Sequence, residues 1–144
     1  MSETASTEIR DRCRRIQNAL DASGIPFLAE CVQKGDRGVQ DAAFEALRAL
    51  GGKTTARAIL PLLRSPDEKV RNLAREILIP LGPADPGSFW PLLRDPDPNV
   101  QIFVAEILEG WDDPRLVEEL SHLADSPHPN VRNQAAISLG RLGR

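Results

Sequence analysis

The chain has 144 residues, 41% hydrophobic and 27% charged, which suits one ordinary folded domain rather than a disordered segment. Aromatics are 4% with no Tyr, which disfavours sandwiches and barrels, and the abundance of Leu, Ala, Arg and Glu favours helix. The net charge of −3 is uneven: residues 1–75 carry 13 Lys/Arg against 10 Asp/Glu, and residues 76–144 carry 5 against 11, a balance without the basic stripe of a nucleic-acid binder.

The opening MSETASTEIRDRCRR has no apolar h-region, and no run approaches 18 apolar residues, so neither a secretory signal nor a membrane span is expected. Ile9, Cys13, Ile16 and Leu20 recur at steps of four, three and four, predicting an amphipathic helix within residues 7–22. Its other faces carry Arg10, Arg12, Arg14 and Arg15. An anionic partner could use them, but interleaving with Glu8 and Asp11 favours a solvated face. Cys13 and Cys31 lack metal-type spacing and are expected as reduced thiols of a cytoplasmic protein.

From residue 25 a period governs the chain. Val39, Val70, Val100 and Val131 are spaced by 31, 30 and 31 residues. Three before each stand Asp36, Asp67, Asp97 and His128; eight before, Cys31, Leu62, Leu92 and Leu123; eight after, Leu47, Leu78, Leu108 and Leu139. Each copy predicts two helices. Apolar steps of three and four before the valine mark the first, and those from the valine onward mark the second. Asp36, Asp67 and Asp97 are expected to cap the second helices, whereas His128 weakens the last cap. Asp85-Pro86 and Asp113-Pro114 are expected to start the first helices of copies three and four, and Gly51-Gly52, Gly82 and Gly143 to stop second helices. Pro61 and Pro91 fall inside first helices, where a kink is expected.

The strings "PLLRSPDEKVRNLAREIL", "PLLRDPDPNVQIFVAEIL" and "SPHPNVRNQAAISL" resemble the short bacterial HEAT-like repeat over roughly residues 25–144, with "QKGDRGVQDAAFEAL" a more degenerate first copy. The expected fold is therefore all-α: a right-handed α-solenoid of four stacked HEAT-like hairpins of about 31 residues, preceded by the 7–22 helix as a cap, in a single domain. The resemblance implies second helices lining a concave face. It also implies that the arginine after the valine, kept as Arg71 and Arg132 but Gln40 and Gln101 elsewhere, pairs with an Asp of a neighbouring repeat. In the last copy, Gln134 and Ser138 replace Ala, Leu, Phe or Ile, which is expected of a helix with no further neighbour.

Catalytic chemistry is poorly represented. His122 and His128 are the only histidines, and the phosphate-loop, Cys-x-x-Cys and nucleophile-elbow patterns are absent, as is the His-Glu pair of iron-binding HEAT-like hydroxylases. Neither an enzyme nor a cofactor is expected. Glu106, Glu109, Asp112, Asp113, Glu118 and Glu119 suggest an acidic surface rather than a metal site. Off-core positions of the second helices should be polar, yet Phe44, Ile79, Ile102 and Ile137 are apolar. The candidate partner-binding set is Phe44, Arg48, Arg75, Ile79, Ile102, Glu106 and Glu109; Trp90 and Trp111 are expected to pack. The expectation is an adaptor or scaffold that binds another protein. The alternatives are an accessory subunit of an enzyme, as in bilin-lyase-type HEAT-like proteins, or a nucleic-acid module, as in alkyl-base DNA glycosylases. Glu106 and Glu109 count against the second.

Overall fold

A computed structural model of the chain describes residues 2–81, 86–111 and 113–143. Among these residues the regular structure is helical throughout, and it divides into two compact units, Met1–Leu81 and Gly82–Arg144.

In the first unit α1 spans Glu3–Ala19, α2 Ile25–Lys34, α3 Arg37–Leu50, α4 Gly52–Ile59 and α5 Glu68–Leu81. The helices α2 and α3 form a hairpin, α4 and α5 a second, and the hairpins stack with α2 against α4 and α3 against α5. The α1 helix packs on α3 and thus joins the layer of second helices. The α1 helix begins earlier than residue 7 because the Ser2 hydroxyl accepts the Ala5 N–H at 3.1 Å. It also stops before residue 22: Leu20 adopts left-handed φ of 49° and ends the helix, so the last residue of the expected apolar stripe is exposed. Cys13 and Ile16 are buried as the stripe requires.

In the second unit α6 spans Pro86–Phe89, α7 Pro98–Leu108, α8 Pro114–Leu123 and α9 Pro129–Arg141; α8 packs on α9 and α7 on α9. The cap expected at Asp85 and the stop at Gly82 lie outside the described residues.

The two interior prolines do not simply bend their helices. At Leu60–Arg64 and at Trp90–Arg94 the chain tightens into 3₁₀ turns, each with proline in its first turn. Proline cannot donate to the carbonyl four residues back and its ring crowds that turn, so the α-helix ends two residues before the proline and the chain finishes in 3₁₀ geometry.

The turns between first and second helices are built alike. Asp36 accepts the Val39 N–H at 2.9 Å, Asp67 the Lys69 N–H at 2.9 Å and Asp97 the Asn99 N–H at 2.9 Å. Two residues before the cap, Ser65, Asp95 and Ser126 accept the N–H of Asp67, Asp97 and His128 at 3.1, 2.9 and 3.1 Å. The arginines after the marker valines then close the same turns. Arg71 donates to the Ser65 carbonyl and Arg132 to the Ser126 carbonyl, both at 2.7 Å, and Gln40 donates to the Val32 carbonyl at 2.9 Å. These side chains lock their own hairpin rather than forming the ladder between repeats that the family resemblance implies.

His128 makes no side-chain cap bond. Replacing it with Asp supplies the acceptor present in the other three copies. His128→Asp is expected to raise stability by about 0.5–1 kcal/mol in urea unfolding; an unchanged midpoint would show the α9 terminus already satisfied.

Candidate functional site

On the second-helix layer of the first unit, α1, α3 and α5 enclose an open depression of about 410 Å³. Gln17 lines it from α1, Glu45, Arg48 and Ala49 from α3, and Ile77, Pro80 and Leu81 from α5. Its floor is apolar because Ile77 is fully buried, while its rim alternates acid, base and amide. The gap exists because α3 places only a methyl at Ala49 and α5 carries a proline near its end.

Of the sequence candidates in this unit, Arg48 lines the depression. Phe44 is half-buried, with the Arg48 guanidinium 5.4 Å from its ring centroid, so the two form one amphipathic patch. Ile79 is 38% exposed but does not line the depression, and Arg75 is half-buried. The other six lining residues, Gln17, Glu45, Ala49, Ile77, Pro80 and Leu81, lie outside the candidate set, since a gap left by Ala49 and Pro80 has no residue-type signal of its own.

In the second unit Ile102 and Glu106 are half-buried on α7. Glu109 is not offered to a partner: its carboxylate accepts from Ser138 Oγ, from Gln134 Nε2 at 3.4 Å and from Arg141 Nη1 at 3.1 Å. Gln134 and Ser138 therefore do not mark a solvent-facing end. Ser138 is fully buried, and both residues face back to the preceding second helix.

The remaining acids disperse. Glu119 lies 3.4 Å from Arg94 and 3.7 Å from Arg115, Asp113 caps α8 through the Arg115 N–H at 2.8 Å, and Asp112 lies outside the described residues. No group of three or more His, Cys, Asp or Glu gathers as a metal set among the described residues, and both histidines are exposed. Trp90 is buried, 5.1 Å from Trp111 between ring centroids, with the Arg115 guanidinium 4.6 Å from its own centroid.

On α1, the arginine cluster is partly committed. Arg12 covers the Phe27 ring at 3.9 Å, Arg14 lies 3.3 Å from Asp11 and Arg10 donates to Thr7 at 2.9 Å. Ser6 of α1 donates to Asp36, the α3 cap; that bond, with the Val39 N–H, holds the Asp36 carboxyl below the usual carboxylate range. Both thiols are buried, and burial pushes Cys13 up and Cys31 to about 12, so they are protonated and poorly nucleophilic at neutral pH.

Hairpins with one shared turn chemistry, stacked so that second helix meets second helix within each unit, define an all-α helical-repeat protein. The model of the HEAT-repeat family matches residues 89–144, the third and fourth copies of the period, so that stretch is of the HEAT-repeat kind. The first two copies carry the same registers and the same hairpin in residues 25–81. No curated protein matches the chain. No helix among the described residues is long and apolar enough to cross a membrane.

Proposed function

We propose that the chain is a non-catalytic adaptor or scaffold that receives a segment of another protein in the depression between α1, α3 and α5. HEAT repeats generally mediate protein–protein interaction. The observation that carries the assignment to this place is the lining itself: an apolar floor of Ile77 and Leu81 within a rim of Gln17, Glu45 and Arg48. That arrangement has the anatomy of a recognition surface, with a desolvated centre inside a polar border. The mixed charge of the rim suits a peptide better than a phosphate backbone, which would need a continuous basic track.

Ala49 is exposed and lines the depression, so Ala49→Glu fills it while leaving the core intact. In affinity capture from native lysate, wild type is expected to retain a defined partner that Ala49→Glu loses, with unchanged thermal unfolding of the variant. Recovery of the same proteins by both chains would move the site elsewhere.

A further inference from the structure

The burial pattern of the repeat breaks in the fourth hairpin. Seven residues before the marker valine stand Val32, Leu63 and Leu93, each 0% exposed; the fourth copy has Ala124, which is exposed. Eight residues after it Leu47, Leu78 and Leu108 are 0% exposed, whereas Leu139 is only half-buried. Five after it Ala105 is buried in α7 and Phe44 and Arg75 are half-buried, whereas Ala136 is exposed on α9. Ala124, Leu139 and Ala136 thus form a small apolar face, in two registers that are closed in the other copies and a third that is more covered there.

The opposite terminus is finished differently. Residues Thr4, Thr7, Glu8, Asp11 and Asn18 of α1 are exposed and polar, which makes α1 a poor complement for an apolar face. The fourth hairpin complements itself better. A two-fold axis parallel to the helices lays α8 of one copy over α9 of the other. Exposed Asp125, just past the end of α8, and exposed Arg132, in the first turn of α9, sit at the same end of the hairpin. The same rotation brings Asp125 of each copy toward Arg132 of the other, flanking the apolar centre with opposite charges.

We propose that the open face of α8–α9, centred on Ala124, Ala136 and Leu139, is a self-association surface that receives the same face of a second copy of this chain. Helices of this length present a face roughly 15–20 Å long, burying on the order of 1,000 Å² in total across the pair, the low end for a specific interface. The dimer is therefore weak and reversible, with dissociation in the micromolar range.

Sedimentation velocity of the 144-residue chain across micromolar concentrations tests this. Wild type is expected to shift from monomer to dimer as concentration rises, and Ala136→Glu to remain monomeric. Ala136 is exposed in the single chain, so its substitution leaves the fold intact; Asp125→Arg should raise the dissociation constant several-fold. A wild type monomeric throughout, or an Ala136→Glu variant that dimerises equally well, would overturn the proposal. Growth beyond a dimer would instead indicate head-to-tail stacking, and loss of association in Ala49→Glu alone would transfer it to the depression of the first unit; either result also refutes it.

Discussion

Glu109→Ala is expected to destabilise the protein by about 2 kcal/mol, although sequence position alone makes this residue a solvent-facing acid at a helix end. The loss comes from α9. Ser138 is fully buried and donates to the Glu109 carboxylate, so alanine leaves its hydroxyl facing a site with no acceptor. Gln134 loses the same acceptor, while the Arg141 contribution is small because that side chain is 63% exposed and largely screened. The double variant Glu109→Leu/Ser138→Ala is expected to recover much of the stability, since removing both polar partners removes the desolvation penalty with them. Denaturant midpoints of the single and double variants decide it. If Glu109→Ala unfolds at the wild-type midpoint, the network contributes nothing and Glu109 returns to the pool of surface acids.

Gly35→Ala is expected to cost about 2–3 kcal/mol, despite an ordinary backbone φ of −74° at that position. The α2–α3 connection contains only Gly35 and Asp36, where the next two hairpins use three residues. This short turn brings α3 back so closely that a Cβ on Gly35 would lie 2.5 Å from the Cys31 carbonyl oxygen and 2.5 Å from Val39 Cγ1. The first is backbone and the second belongs to a residue 1% exposed, so neither can move without shifting a helix. Gly38→Ala is the control. There the one tight approach of a Cβ is to the Arg10 side chain, at 2.9 Å, which can swing aside, while Asp36 Oδ1 at 3.6 Å is in ordinary contact; the substitution also removes a glycine from a helix. It should be neutral or stabilising by about 0.5 kcal/mol. Equal melting temperatures for wild type and Gly35→Ala would show that the turn opens without cost.

The helices and their pairing were legible because burial acts on every copy at once. Val39, Val70, Val100 and Val131 are all 0–1% exposed, and a period repeated four times outweighs the ambiguity of any one segment. What the period does not carry depends on single residues meeting across copies. Glu109 reads as off-core as long as its register is compared only within its own helix. Its partners sit 25, 29 and 32 residues on, where the expected apolar residues of α9 had turned polar. Those coordinated departures in consecutive copies were the available signal. The pattern places the prolines within first helices, but the response of the backbone, a 3₁₀ ending rather than a bend, follows from the short length of helix remaining after them. Leu20 continues the apolar spacing of a stripe that the helix abandons one residue sooner. The depression lined by Ala49 and Pro80 is defined by what those residues lack, and a missing side chain leaves no periodic trace.

The arginines that bind the carbonyls of Ser65 and Ser126 have a consequence for how such a chain can change over generations. A ladder running between neighbours would tie each unit to a particular predecessor, and inserting or deleting one unit would strand a guanidinium. Here each lock closes within the segment that encodes it, in Arg71 and Arg132 as in the glutamine variant Gln40. A unit of about 31 residues can then be duplicated, lost or transplanted as one genetic cassette without orphaning this bond, leaving selection to act on the residues that the units do not share.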